Sequence, residues 1–253
     1  VKSEKLSFAG SQGHRLMARL DRPASGEIRA WALFAHCFTC SKNLKPILNI
    51  NRALAAAGFG ILRFDFTGLG ESEGEFSDTN FTSNVEDLLL AARFVAEYYT
   101  APQLLIGHSL GGSAVIQAAG QLPGCRAVVT IATPYEPQHL NRVLDRKRAE
   151  IEREGEARVS IAGRPFTIKK QFLEDLDRQN LDRHIRDLGR ALLIFHSPAD
   201  TTVGVDNAAQ IFKAARHPKS FISLDRADHL LLEENSAQYV GRLIAAWVEP
   251  YLD

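Results

Sequence analysis

The stretch from residue 104 to 119, Leu-Leu-Ile-Gly-His-Ser-Leu-Gly-Gly-Ser-Ala-Val-Ile-Gln-Ala-Ala, constrains this chain more than any other. A short apolar run meets Gly-x-Ser-x-Gly and then a small-residue apolar pattern, which reads as strand, sharp turn, helix. Ser109 stands at the tip of that turn. A serine hydroxyl is a weak nucleophile unless a base and an electrophile can both reach it, and a tight strand-to-helix turn presents it to both. Gly107 and Gly111 flank the serine because the turn brings backbone segments too close for Cβ atoms, and Gly112 lets the following helix approach the sheet. The N–H of Leu110, which opens that helix, points at negative charge developing on a reacting oxygen. A pattern with three fixed positions also arises by chance, so its weight comes from the strand before it and the helix after it.

The rest of the chain supplies a sheet for that turn to sit on. Residues 3 to 21 read as two strands joined through a Gly10 to Gly13 turn, an antiparallel hairpin at an edge. Continuous apolar runs at 30 to 36, 60 to 66, 103 to 106, 126 to 132, 190 to 195 and 219 to 224 read as further strands, several of them buried on both faces. Helical patterns alternate with them at 46 to 57, 80 to 99, 206 to 215 and 236 to 251. Such a βαβ succession predicts a mostly parallel sheet flanked by helices. Between Thr133 and Leu188 the rhythm breaks into a charged helix (140 to 154), a hairpin around Gly163 (159 to 168) and a second helix (171 to 182). The expected organisation is therefore a core made of residues 1–133 and 189–253 and a cap insertion at 134–188 over the strand ends, lining the acyl pocket or a dimer interface.

A serine nucleophile needs a general base, and the base needs an acid to fix its tautomer. His229 follows the last strand in Ser-Leu-Asp-Arg-Ala-Asp-His-Leu-Leu, a loop at a strand's C-terminal end, where open α/β sheets place their ligand sites. Among eight histidines it is position that selects it: His14 and His139 lie outside such loops, His184 is in the insertion and His217 precedes the last strand. His36, His108 and His196 end strands but stand before, beside or too early for the role. Asp200, in His-Ser-Pro-Ala-Asp-Thr-Thr-Val, is the expected acid; Asp225 and Asp228 compete with it, Asp228 being too near His229 along the chain to reach the far ring nitrogen easily. A second oxyanion donor comes from the loop after an early strand. His-Cys-Phe-Thr-Cys-Ser-Lys (36 to 42) occupies that place, which assigns the N–H of Phe38 beside that of Leu110; the alternative for Phe38 is a loop hydrophobe covering the core. Gly-Leu-Gly-Glu-Ser-Glu-Gly (68 to 74) has the wrong glycine spacing and two acidic residues where a dinucleotide fingerprint would hold a pyrophosphate. It reads as a turn-rich loop near the site.

Lys plus Arg (30) equals Asp plus Glu (30), so no basic surplus points to nucleic acid. No run approaches the roughly 18 apolar residues of a membrane span, and Val-Lys-Ser-Glu-Lys lacks a signal peptide's apolar core, which makes a cytoplasmic protein the expectation. The missing initiator Met implies a processed or trimmed chain. Three cysteines form no secreted disulfide framework and no zinc spacing, so neither metal nor organic cofactor is expected. Cys37 and Cys40 form a Cys-x-x-Cys around Phe38: a disulfide there would reshape the loop and make activity respond to peroxide. The absence of a thioredoxin-like context favours instead two small buried thiols. Cys125 reads as core.

With turn, oxyanion loop, acid and base in this order, the chain resembles serine hydrolases of the α/β-hydrolase fold. More narrowly, His-Cys-Phe-Thr-Cys-Ser-Lys, Arg-Phe-Asp-Phe-Thr-Gly-Leu-Gly-Glu-Ser, Ile-Gly-His-Ser-Leu-Gly-Gly and Ala-Arg-His-Pro-Lys-Ser-Phe resemble the hydrolase half of bacterial bifunctional α/β-hydrolase/OsmC proteins. That resemblance implies a carboxylesterase acting on small or medium esters, and an OsmC-like peroxide-reducing domain following the hydrolase, unless this is a stand-alone relative. Thioester or peptide hydrolysis by the same residues, or a non-catalytic scaffold docking an OsmC-like domain, are the alternatives; a homodimer is compatible with all of them.

Overall fold

The computed structural model describes residues 1–161 and 163–252, so Ala162 of the expected hairpin and the terminal Asp253 lie outside it. Eight strands form one sheet: β1 (Lys2–Ala9), β2 (Arg15–Arg22), β3 (Ala30–Ala35), β4 (Phe59–Phe64), β5 (Leu104–His108), β6 (Ala127–Ile131), and, after the insertion, β9 (Ala191–His196) and β10 (Lys219–Ser223). Their spatial order is β1-β2-β4-β3-β5-β6-β9-β10. The pairs β1–β2 and β2–β4 are antiparallel, and every other pair is parallel. The runs that read as continuous apolar segments, β3, β4, β5, β6 and β9, are buried at every position, as strands covered on both faces must be.

Alternation along β3 shows how one strand serves two cores: Ala32 and Phe34 face the cluster containing Ile47, Ile50 and Leu54 of α1 (Lys45–Ala56) and Val240 and Ile244 of α8 (Glu234–Val248). Leu33 and Ala35 face the opposite cluster, built on α2 (Phe81–Tyr98) and α3 (Leu110–Ala119). An Asn80–Ser83 capping box starts α2, and α7 (Asp206–Ala214) lies between β9 and β10 in sequence.

The segment 134–188 holds α4 (Asn141–Glu154), the antiparallel hairpin β7 (Glu156–Ile161) and β8 (Arg164–Lys169), then α5 (Lys170–Arg178) and α6 (Leu181–Arg186). Its apolar residues Leu144, Ile151, Ile168, Phe172 and Leu176 join the α2/α3 core. The single helix expected over 171 to 182 is two. Asn180 breaks it: its side chain accepts the N–H of Arg183 at 3.1 Å and caps α6, the local bond that makes Asn a poor helix interior and a good start.

Candidate active site

Ser109 sits between β5 and α3 with φ 54° and ψ −123°, a backbone conformation a side chain rarely adopts. Its N–H is tied to the Ile131 carbonyl of the adjacent strand at 2.8 Å. Close approach explains the glycines around it. A Cβ on Gly107 would strike the Gly111 carbonyl, and one on Gly111 would strike the carbonyls of Ala35 and His36. At Gly112 the obstacle is the Thr133 side chain in the loop after β6.

Three loops at the C-terminal ends of strands meet here. The Ser109 Oγ lies 3.2 Å from Nε2 of His229, and the His229 Nδ1 lies 2.7 Å from Oδ2 of Asp200. With Nδ1–H donating to the carboxylate, Nε2 is left to accept from the serine hydroxyl. Asp200 is buried, and its Oδ1 accepts the N–H groups of Thr202 and Val203 at 2.8 and 2.9 Å. Burial by itself would raise the Asp200 carboxyl; the hydrogen bonds from His229, Val203 and Thr202 outweigh it and hold the group below its ordinary value. The competing acids are used elsewhere: Asp225 accepts from the Ser223 hydroxyl, and Asp228 accepts the N–H groups of Leu230 and Leu232 in its own turn.

The loop after β3 carries Phe38, which with Leu110 lines one small cavity beside the turn. Among the described residues the Phe38 N–H has no acceptor, and the Leu110 N–H, first in its helix, has none within the helix. The expectation of two free thiols is corrected: Cys37 and Cys40 are joined in a disulfide, with Cα atoms 5.3 Å apart. The spacing rule looked for a thioredoxin-like setting, whereas the tight turn itself, closed by the Cys40 N–H on the Cys37 carbonyl at 3.1 Å, brings the two side chains together. Cys125 is free and buried, as expected of core, and burial pushes its thiol up to about 12.

The model of the alpha/beta hydrolase family matches residues 30–242. The chain belongs to that family. This hydrolase is 49% identical, over the whole of both chains, to the esterase domain of a Rhodothermus marinus protein, with a TM-score of 0.82. The uncharacterized protein YfhR of Salmonella typhimurium is 24% identical over 232 residues, 91% of this chain and 75% of that one. Mouse palmitoyl-protein thioesterase ABHD10, mitochondrial, is 27% identical over 187 residues, 70% of this chain and 61% of its own length. No helix among the described residues is long and apolar enough to cross a membrane.

Several groups that sequence reasoning passed over support the hydrolase's site. His108, set aside as a base, places its Nε2 2.7 Å from the His229 carbonyl oxygen. Burial pushes its pKa down to about 3, so the ring is neutral and donates Nε2–H, fixing the backbone of the loop that carries His229. Lys42, to which the sequence assigned no role, is wholly buried. Its ammonium meets Oδ2 of Asp65 at 2.5 Å and Oε2 of Glu71 at 2.6 Å, while its N–H donates to Oδ1 of Asp65 at 2.6 Å. The Lys42 ammonium, then Lys5, draws the Glu71 carboxyl down to about 2. Arg63 donates to the Lys42 carbonyl at 2.8 Å and to Asp21 at 2.6 Å. The loop after β3 is thereby anchored to β4 and to the turn-rich loop after it. From the insertion, Arg164 donates to the Thr39 carbonyl, and Phe172 packs 5.5 Å from the Phe38 ring. The one usable signal was the Asp that ends the β4 run; its partner lies 23 residues away in sequence.

Proposed function

We propose that this protein is a serine carboxylesterase. The observation that carries the reading is the relay from Asp200 through His229 to a Ser109 held at positive φ at the start of α3. His229 Nε2 takes the hydroxyl proton as Ser109 Oγ attacks the ester carbonyl. The N–H groups of Leu110 and Phe38 receive the oxyanion, and Asp200 stabilises the imidazolium. Collapse breaks the ester bond, and the alcohol leaves with the proton from His229. Water, deprotonated by the same ring, then attacks the acyl-enzyme and releases the acid. The steps need no cofactor or metal. Two independent likenesses support the reading: the esterase domain at 49% identity and the family match. The likeness to a palmitoyl-protein thioesterase favours thioesters as a second substrate class for the same residues. An OsmC-like domain as a covalent neighbour, and a cytoplasmic setting, rest on the motif resemblance and on the chain's composition.

Hydrolysis of p-nitrophenyl esters and matched thioesters by the protein and by Ser109→Ala, with fluorophosphonate labelling read by mass spectrometry, tests this. Label on Ser109 and a loss of roughly 10³-fold or more in the variant are expected. Equal rates with no label would sink the reading.

A further inference from the structure

The Cys37–Cys40 disulfide closes a tight turn whose second residue is Phe38. Both flanks of that turn are clamped. On one side the carbonyls of Ala35 and His36 lie so close to Gly111, in the first turn of α3, that no Cβ fits between them. On the other, Lys42 gives its N–H and its ammonium to Asp65, and its carbonyl accepts from Arg63 at 2.8 Å. Any adjustment therefore falls on the residues between. Among them Thr39 is held at φ 60°, a left-handed conformation that a β-branched side chain rarely adopts and that persists only where the surroundings impose it. The sulfur bridge imposes it, together with the Cys40 N–H on the Cys37 carbonyl at 3.1 Å and the Thr39 hydroxyl on the Phe38 carbonyl at 2.7 Å. Of these the bridge alone is covalent, and a reagent can cut it without changing a residue. Cys37 is only 4% exposed and Cys40 is half-buried, so the bridge is reached from the Cys40 side.

We infer that Cys37 and Cys40 are a redox-active pair whose joined form holds the esterase at full rate and whose reduced form slows it, a regulation that rests on the esterase reading. In that reading the Phe38 N–H receives the oxyanion beside the Leu110 N–H, and such a donor works only when it is held where the charge develops. Sulfurs no longer bonded cannot stay at bonding distance, so reduction widens the turn. With both flanks clamped, the widening falls on Phe38 and Thr39. The relay is left alone, since the bonds that join Ser109, His229 and Asp200 involve none of residues 37–40. A dithiol supplies the electrons. Its thiolate bonds to Sγ of Cys40, the S–S bond breaks, and Cys37 leaves as a thiolate that takes a proton; the second thiol then closes the reagent's own disulfide and frees Cys40. A peroxide reverses this. One thiol takes a peroxide oxygen and becomes a sulfenic acid, releasing water or an alcohol, and the other thiol then displaces water to re-form the bridge.

The test follows p-nitrophenyl acetate hydrolysis by the disulfide form, by the protein after dithiothreitol and desalting under argon, and by the same sample after hydrogen peroxide. Alkylation read by mass spectrometry locates the free thiols at each stage. Because an oxyanion donor acts on the transition state more than on bound substrate, reduction is expected to lower kcat by at least about tenfold while KM stays within about threefold. Peroxide is expected to restore the rate, and Cys37→Ser with Cys40→Ser to sit at the low rate and ignore both reagents. A kcat that stays within about twofold when Cys37 and Cys40 are shown free overturns the inference. So does a bridge that dithiothreitol leaves intact in the folded protein, or a response that survives in the serine pair. Should the serine pair fail to fold, the unmodified protein still decides, with Cys40→Ala as the second variant. Ser109→Ala separates the two readings: turnover that depends on Ser109 but ignores both reagents removes only the switch. Rates unchanged in Ser109→Ala remove the esterase reading and the switch with it.

Discussion

The turn that carries Ser109 and the insertion at 134–188 are built on different principles. Around Ser109, backbone meets backbone: α3 lies so close to β3 that Gly111 cannot carry a methyl group without striking two main-chain carbonyls. The insertion reaches the site through side chains. Arg164 bonds the Thr39 carbonyl, Phe172 stacks near Phe38, and Phe166 packs 5.0 Å from Phe76. Its outer face carries ion pairs such as Arg148 with Glu152 and Asp177. Atoms that must be placed within tenths of an ångström are thus set by the main chain, while the shape around the substrate is set by groups that a substitution can trade.

The largest effect is expected where main-chain contact is broken. Gly111→Ala should destabilise the fold by more than about 4 kcal/mol, or prevent folding, because the obstacles are carbonyls with no room to turn. Urea unfolding measures this; a loss under about 1 kcal/mol would mean that β3 and α3 can part, and the contrast would fail. On the insertion side, Phe172→Ala removes a buried ring shared by the insertion and the loop that carries Phe38, at an expected cost of about 3–5 kcal/mol. A midpoint close to that of the unmodified protein would show that the insertion merely rests on the core.

Acid should destabilise the fold through histidines whose burial depresses them, His108 at the site above all and His139 and His184 of the insertion in the same direction. His108 is neutral in the folded protein down to about 3, whereas the unfolded ring takes a proton near its ordinary value of 6.5. The folded pKa is depressed, so this contribution is whole above pH 6.5, declines as pH falls below that value, and is lost once pH passes through about 3. The buried His36 and His196 are shifted in the same direction, chiefly by burial. Unfolding free energies at pH 7.5 and pH 5 should therefore differ, and His108→Gln, which keeps a donor for the His229 carbonyl, should flatten the difference. An unchanged slope would remove His108 from the account. The smallest effect belongs to the insertion's surface: Arg148→Ala, although it breaks two ion pairs, should cost under about 1 kcal/mol in thermal or urea melts, since these partners stand in water. A larger loss would make the insertion's charges structural.

Much of this was legible before any coordinates. Ser109, Asp200 and His229 are each placed by a local rule, a strand end followed by a loop, and the sheet then brings the loop ends to one edge. The apolar runs announced the buried strands because a strand covered on both faces has no polar side to show. Asn180 shows where local reading faltered. Its capping bond competes with helix continuation, and pattern alone does not say which wins.

The succession of strands and helices, the tight turn at Ser109 and the three loops that converge on it were written in the sequence, because these follow from period, turn sterics and chain direction. Which groups hold the site in place emerged only from the folded chain: the disulfide between Cys37 and Cys40, the buried Lys42–Asp65 pair and the His108 bond to the His229 loop. Apart from the disulfide, which the turn closes, these depend on groups distant in sequence meeting at a few ångströms in a dry interior. Burial and partners, not residue type, settle what a lysine or a histidine does there.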